Sequence, residues 1–435
     1  MSAWYMVAVL ILFYFLNSFD RTVLSLMVPH VKEDMGASDT QVGLLLGMAF
    51  AVFYGFFGWP IGALIDRFSR RAVLFTGVLV WSAATIACGI AATYGELLLA
   101  RMVLGIGEAS LMPAAHALMA DRFPRERLSM AMSIFYFGGI FGSSASTALG
   151  GIAVSHFAHW PGIALVGGLV VRGWQMPFIV LGTCGVLSAA LAFTFRAGGN
   201  EPVSRGTTTT SFGSALKDNK GALAAIFGSF VTTALLLFAI VLWTPTFMAR
   251  AYGWQPDQIG ISYGAVHLVG SGLGTLVFGA LVDRLFSGGM IDAHLRVFGW
   301  CTVVGAPCAL AAFLCRTPYL FLALIFVAHF FAFSFTGYAS ALVQLVSPVA
   351  ARARMAGLYV MMLILFGNGL GPLLIGVLSD RLFGTAGIGH SAVLLIGILG
   401  PIATLSAFVG LEPVRRAIER THGTTPIASA DEALI

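Results

Sequence analysis

GALIDRFSRR at residues 62–71 decides the fold, because its first six residues return as GALVDR at 279–284. Each copy follows one apolar stretch and precedes another, so each sits at a turn between apolar segments. A second echo supports the first: Pro124 with Met130-Ala131 reappears as Pro348 with Met355-Ala356. Two echoes, both in register with the order of apolar segments, indicate a duplicated chain.

Composition says what those segments are. Charged residues make up 10% of the 435 residues and hydrophobic ones 58%. A water-facing domain carries roughly a quarter charged residues, so this chain cannot cover a wet surface. A membrane helix needs ~20 predominantly apolar residues. Twelve such stretches lie near 4–28, 41–65, 73–93, 96–120, 128–155, 173–195, 220–248, 257–283, 294–315, 317–345, 352–380 and 390–411. The polar, Gly/Thr/Ser-rich run 196–219 divides them evenly. The expected organisation is an all-α integral membrane protein. Residues 1–195 form one six-helix bundle, 196–219 a cytoplasmic linker, 220–411 a second bundle and 412–435 a tail.

Loop charge orients the chain. With both termini inside, the inner loops and tails hold seventeen Lys and Arg, against Lys32, Arg172, Arg250, Arg316 and Arg381 outside. A multi-pass protein of the cell (inner) membrane with cytoplasmic termini is expected. The net charge of +5 then reflects topology, and no nucleic-acid partner is implied. The first stretch lacks a basic n-region and a cleavage site and carries Asn17, Asp20 and Arg21, so it reads as a retained helix. Cys301, Cys308 and Cys315 recur every seventh residue. Successive members are about 10.5 Å apart on a helix, which suits packing and not a metal. No metal, cofactor or disulfide is expected. No HExxH pattern and no CxxC pair is present, so an enzyme is disfavoured. Duplicated halves joined in this way are the parallel-repeat plan of secondary transporters, with substrate bound near the midplane.

The loop at 62–71 resembles the signature of the major facilitator superfamily, roughly G-x-L-x-D-R-x-[GS]-R-R, through Gly62, Leu64, Asp66, Arg67, Ser69, Arg70 and Arg71. Within it the N-terminal half is most similar to the Spinster group. The resemblance rests on LNSFDRTVLSLMVPHVKEDMGASDTQVGLL and RMVLGIGEASLMPAAHALMADRFPRERLSMAMSIF. That group implies alternating-access movement of amphipathic, lysolipid-like substrates, proton-linked or facilitated, by a monomer. The organic anion:proton symporters, for small carboxylates or sugar acids, share the Asp-Arg and the Arg with Glu-Ala. In the superfamily the acid equivalent to Asp66 meets the N-terminus of helix eleven and holds the cytoplasmic side shut. The resemblance thus implies a cytoplasmic gate of Gly62, Asp66, Arg67, Arg70 and Arg71. Asp283, Arg284, Arg352 and Arg354 are its counterparts and partners. The superfamily's exchangers often carry Gly-Pro in helix five; here it is absent, while Gly371-Pro372 stands in helix eleven.

Ionisable groups inside a bilayer are costly, so they pair and usually act. Asp20 and Arg21 lie on the first helix, Arg101 and Glu108 on the fourth. At 1.5 Å per residue Asp20 sits about 12 Å from the outer edge, Arg101 about 8 Å and Glu108 about 18 Å. Arg101 and Glu108 share a helix face, so one cluster of two acids and two bases is expected, serving protons and an anionic headgroup. Glu108, the deepest acid, is the expected proton sensor. The second half lacks such a cluster. It offers Trp243, Tyr263, His267, His329, Phe333 and Asn368, which with Asn17 are candidate cavity-lining residues for an amphipathic substrate.

Overall fold

The computed structural model describes residues 3–123, 125–158, 160, 162–164, 170–195, 216–348, 352–384 and 387–422. Among these, eleven helices are long and apolar enough to cross a membrane. They are α1 Ala3–Met35, α2 Asp39–Gly58, α3 Arg70–Ile90, α4 Tyr94–Met119, α5 Ile134–Phe157, α6 Gly173–Phe193, α7 Lys220–Tyr252, α8 Pro256–Ser287, α9 Ala293–Leu314, α11 Arg354–Phe383 and α12 Ile388–Val409. The expected tenth stretch, α10, is broken into Pro318–Ala332 and Phe335–Leu345. A short amphipathic helix, α13 (Leu411–His422), follows the last span. The only described strands, β1 Ile163–Ala164 and β2 Val170–Val171, pair antiparallel between α5 and α6. The fold is that of an all-α membrane protein.

The first helix is longer than its apolar stretch. It runs through Pro29 and the polar residues His30, Lys32, Glu33 and Asp34, ending about 10 Å beyond residue 28. Polar side chains do not stop a helix; Gly36, at φ 63°, does, and its N–H closes on Lys32 O at 3.0 Å. The α2 helix then starts on a capping box, with Ser38 Oγ accepting from Gln41 N and Gln41 Oε1 from Ser38 N. Thr93 and Glu96 cap α4 in the same way.

Large apolar side chains such as Leu187, Tyr319 and Val409 are exposed, as a lipid-facing surface requires. Cores sit inside two compact units. One comprises Met1–Val203, Val241–Leu268 and Pro372–Ile388; the other comprises Ser204–Ile240, Val269–Gly371 and Gly389–Ile435. The boundaries differ from the sequence halves, because one end each of α7, α8 and α11 groups with α1–α6. The first unit is built on the α1–α5, α3–α6, α3–α4 and α2–α4 crossings. The second packs around Phe230, whose ring meets Phe298 edge-on and Phe335 face-on.

Candidate functional site

Two glycines of α4 bring three helices close together. A methyl group on Gly105 would lie 2.6 Å from Phe50 O of α2, and one on Gly107 would lie 2.5 Å from Trp81 N of α3. Any larger residue would push α4 away. On the same stretch stand Arg101, with no exposed surface, and Glu108, 1% exposed. From α1 come Asp20, 2% exposed, and Arg21. The structure brings these four side chains together, as their spacing implied.

Their pairing divides the two acids. Arg21 donates from Nε (2.8 Å) and Nη2 (2.6 Å) to Glu108 Oε2. Its guanidinium lies 4.3 Å over the Phe50 ring and its side chain keeps 29% exposure. Asn17, one turn back on α1, reaches toward Glu108. Arg101 forms no ion pair among the described residues. Its Nη1 donates to Asp20 O at 3.1 Å, and its Nε to Leu45 O at 3.4 Å. Leu45 lies in the π-helical segment Leu44–Met48, where the ordinary ladder is loosened. The Asp20 carboxylate instead meets Thr85 of α3, whose Oγ lies 2.9 Å from Oδ2. The same Oγ lies 2.9 Å from Trp81 O.

The remaining expected site residues divide into several groups. Trp243 is fully buried and donates its indole N–H to Pro372 O at 2.8 Å, fixing the α7–α11 crossing. Tyr263, His267, His329 and Asn368 are buried, and Phe333 is half-buried. Of the gate residues, Arg70 pairs with Asp121, just beyond the end of α4, and Arg71 donates to Phe195 O at 2.9 Å. Gly62 has open space where a Cβ would be, and Asp283, Arg284 and Arg354 are exposed. The side chains of Asp66, Arg67 and Arg352 lie outside the described residues.

The sequence reading missed Thr85, Phe50, Tyr14 and Tyr54, all in the first unit. Tyr14 stacks on Phe135 with centroids 5.0 Å apart, and Tyr54 lies 5.7 Å from Arg21. Aromatic rings therefore surround the charged group and are not confined to the second half. The available signal was helical spacing: Tyr14 precedes Arg21 by seven residues, and Phe50 precedes Tyr54 by four. Gly260-Ile261-Ser262-Tyr263-Gly264 also matches the hydrolase GxSxG pattern. It lies inside α8, not on a strand-to-helix elbow, and a Cβ on Gly260 would be 2.5 Å from Thr147 O. Its glycines serve helix packing. Among the described residues no cluster has the makings of a metal site.

Comparison with known families matches residues 10–291 to the Major Facilitator Superfamily. The chain belongs to that superfamily. It is therefore a multi-pass membrane transporter and not an enzyme. It is 25% identical over 96% of its length to an MFS-type efflux pump of Mycolicibacterium smegmatis, covering 94% of that protein. It is 28% identical over 93% of its length to Protein spinster homolog 1 of Xenopus tropicalis, covering 78% of it. A probable L-galactonate transporter of Escherichia coli is 28% identical, with 72% of this chain and 68% of that one covered. Among solved structures, a bacterial homolog of the human lysosomal transporter Spinster, inward-facing and unoccupied, superposes with a TM-score of 0.81. That match has 22% identity and covers 96% and 98% of the two chains.

Proposed function

We propose that this superfamily member is a proton-coupled secondary transporter of an amphipathic substrate with an anionic or zwitterionic head, working by alternating access. The supporting observation is the unequal treatment of the two buried acids. Glu108 is paired with Arg21, whereas Asp20 makes no ion pair among the described residues. A hydroxyl has one proton, so Thr85 serves Trp81 O and the Asp20 carboxylate together either by sharing that proton or, with two full hydrogen bonds, when Asp20 carries a proton of its own. This geometry favours Asp20 as the proton carrier, in place of Glu108. Arg21, partly exposed and lying on Phe50, is the cation placed to take a headgroup when Glu108 releases it. The rings of Phe50 and Tyr54 beside it suit an apolar portion of the same substrate. Loop charge favours cytoplasmic termini in a cell membrane.

Similarity to a sugar-acid transporter favours a second reading, a symporter for small organic anions using the same arginine. Proteoliposome uptake under an imposed pH gradient tests both, with labelled lysophospholipid against galactonate and hexuronate. Lysolipid uptake that collapses with the gradient is the expected result. Sugar-acid uptake without lysolipid binding would overturn the amphipathic reading, and uptake indifferent to the gradient would overturn coupling.

A further inference from the structure

The pattern G-x-L-x-D-R, which marks the ends of α2 and α8, occurs a third time. Gly376, Leu378, Asp380 and Arg381 carry it at the end of α11, a span that by alternation along the chain runs in the opposite sense to α2 and α8. In this copy the acid has a resolved partner. Asp380 Oδ1 accepts from Asp39 N at 3.0 Å, and Oδ2 accepts from Thr40 N at 2.6 Å. The carboxylate sits on the first turn of α2, where free N–H groups and the helix dipole both favour a negative charge.

A second carboxylate lies beneath it. Asp39, with 1% of its side chain exposed, receives Lys32 Nζ at 2.5 Å. Arg250 of α7 reaches it with both terminal nitrogens, at 2.8 and 2.9 Å, and Ser379 Oγ at 2.7 Å. Thus α1, α2, α7 and α11 are joined through one buried acid. The approach is close because Gly376 faces the backbone: a Cβ there would lie 2.2 Å from Asp39 O. One turn on, a Cβ on Gly43 would lie 2.6 Å from Pro372 O.

We propose that Asp380 and Asp39 form a releasable latch on the outer face, the counterpart of the Asp66 gate. The motif at the C-terminal end of each helix would supply a carboxylate to the N-terminus of the other. On the inner side that role toward α11 is the one expected of Asp66, and on the outer side Asp380 of α11 serves α2. Only one of the two contacts is made at a time, so α2 and α11 act as a two-position element. Lys32, Arg250 and Ser379 are positioning residues that hold the outer contact until it opens. Any Cβ at Gly376 would prop the latch ajar.

This inference rests on the alternating-access reading, and the test separates the two. Spin labels at Glu33→Cys and Gln255→Cys, with native cysteines replaced, report the outer-face distance in full-length protein in nanodiscs. Asp380→Asn and Asp39→Asn should each raise the long-distance population, on the order of 3- to 10-fold, with Asp380→Glu restoring it. Asp66→Asn should shift it the opposite way. Asp380→Asn leaves every buried group of the central cluster intact, so it keeps the test valid if Asp39→Asn fails to fold. Two distance populations that ignore all latch variants would overturn the latch alone. A single population in every variant would overturn alternating access, and the latch with it.

Discussion

Thr85 holds its hydroxyl 2.9 Å from the carboxylate of Asp20, and among the described residues no cation pairs with that carboxylate. A buried acid served by a neutral hydroxyl can gain or lose a proton without tearing an ion pair. Thr85→Val should therefore alter the pH profile of transport, while Thr85→Ser, which keeps the hydroxyl, should restore it. Uptake rates across about pH 5 to 8 check this; identical profiles for Val and wild type would count against a role for Thr85.

Asp20→Asn should abolish gradient-driven uptake while leaving substrate counterflow, which needs no net proton movement. Glu108→Gln should weaken the hold on Arg21 and change substrate affinity more than coupling. Parallel measurement of driven uptake and counterflow distinguishes them, and the reverse pattern would return the proton role to Glu108.

Arg21→Ala should reduce substrate affinity about 10- to 100-fold, and Arg21→Lys should recover only part of it, because a bidentate fork is lost. Binding to purified protein by calorimetry reads the difference directly. Equal affinity in all three proteins would exclude Arg21 from headgroup recognition.

Arg101→Ala should abolish transport and also lower thermal stability, since it strips the Asp20 and Leu45 carbonyls of a charged donor, a loss of about 1.5–3 kcal/mol for each such bond. Melting curves in detergent separate this structural effect from the binding effect expected at Arg21.

Asp66→Asn should slow turnover and leave substrate binding nearly intact, as a gate remote from the midplane requires. Unchanged turnover at normal expression would remove Asp66 from gating.

The membrane class and the meeting of Asp20, Arg21, Arg101 and Glu108 were legible because they depend on composition and on seven-residue spacing. The pairing among the four was not, since it depends on which helices touch. Thr85 looks like any threonine in an apolar helix until α3 is laid against α1. Lys32 and Arg250 counted in the sequence only as charges in outer loops, and nothing in one dimension sets them against Asp39. Trp243 looked like a substrate-facing ring; its indole N–H is committed to Pro372 O. The length of α1 was misjudged because hydrophobicity marks where lipid ends, and a helix stops only where its backbone is terminated.

The π-helical segment Leu44–Met48 has a consequence for the two ends of α2. A π turn holds one residue more than an α turn, so everything beyond it is rotated by about 100° relative to an unbroken helix. Asp39 stands before the bulge and the GALIDR loop after it. Straightening Leu44–Met48 into α-helix at the same chain length would keep every residue and swing one end around the helix axis, away from its neighbours, whereas deleting one residue there would remove the bulge and leave the two ends in phase. The phase between the two ends is thus set by the wider turn, and an unbroken α-helix of the same sequence would carry both motifs without keeping them in phase.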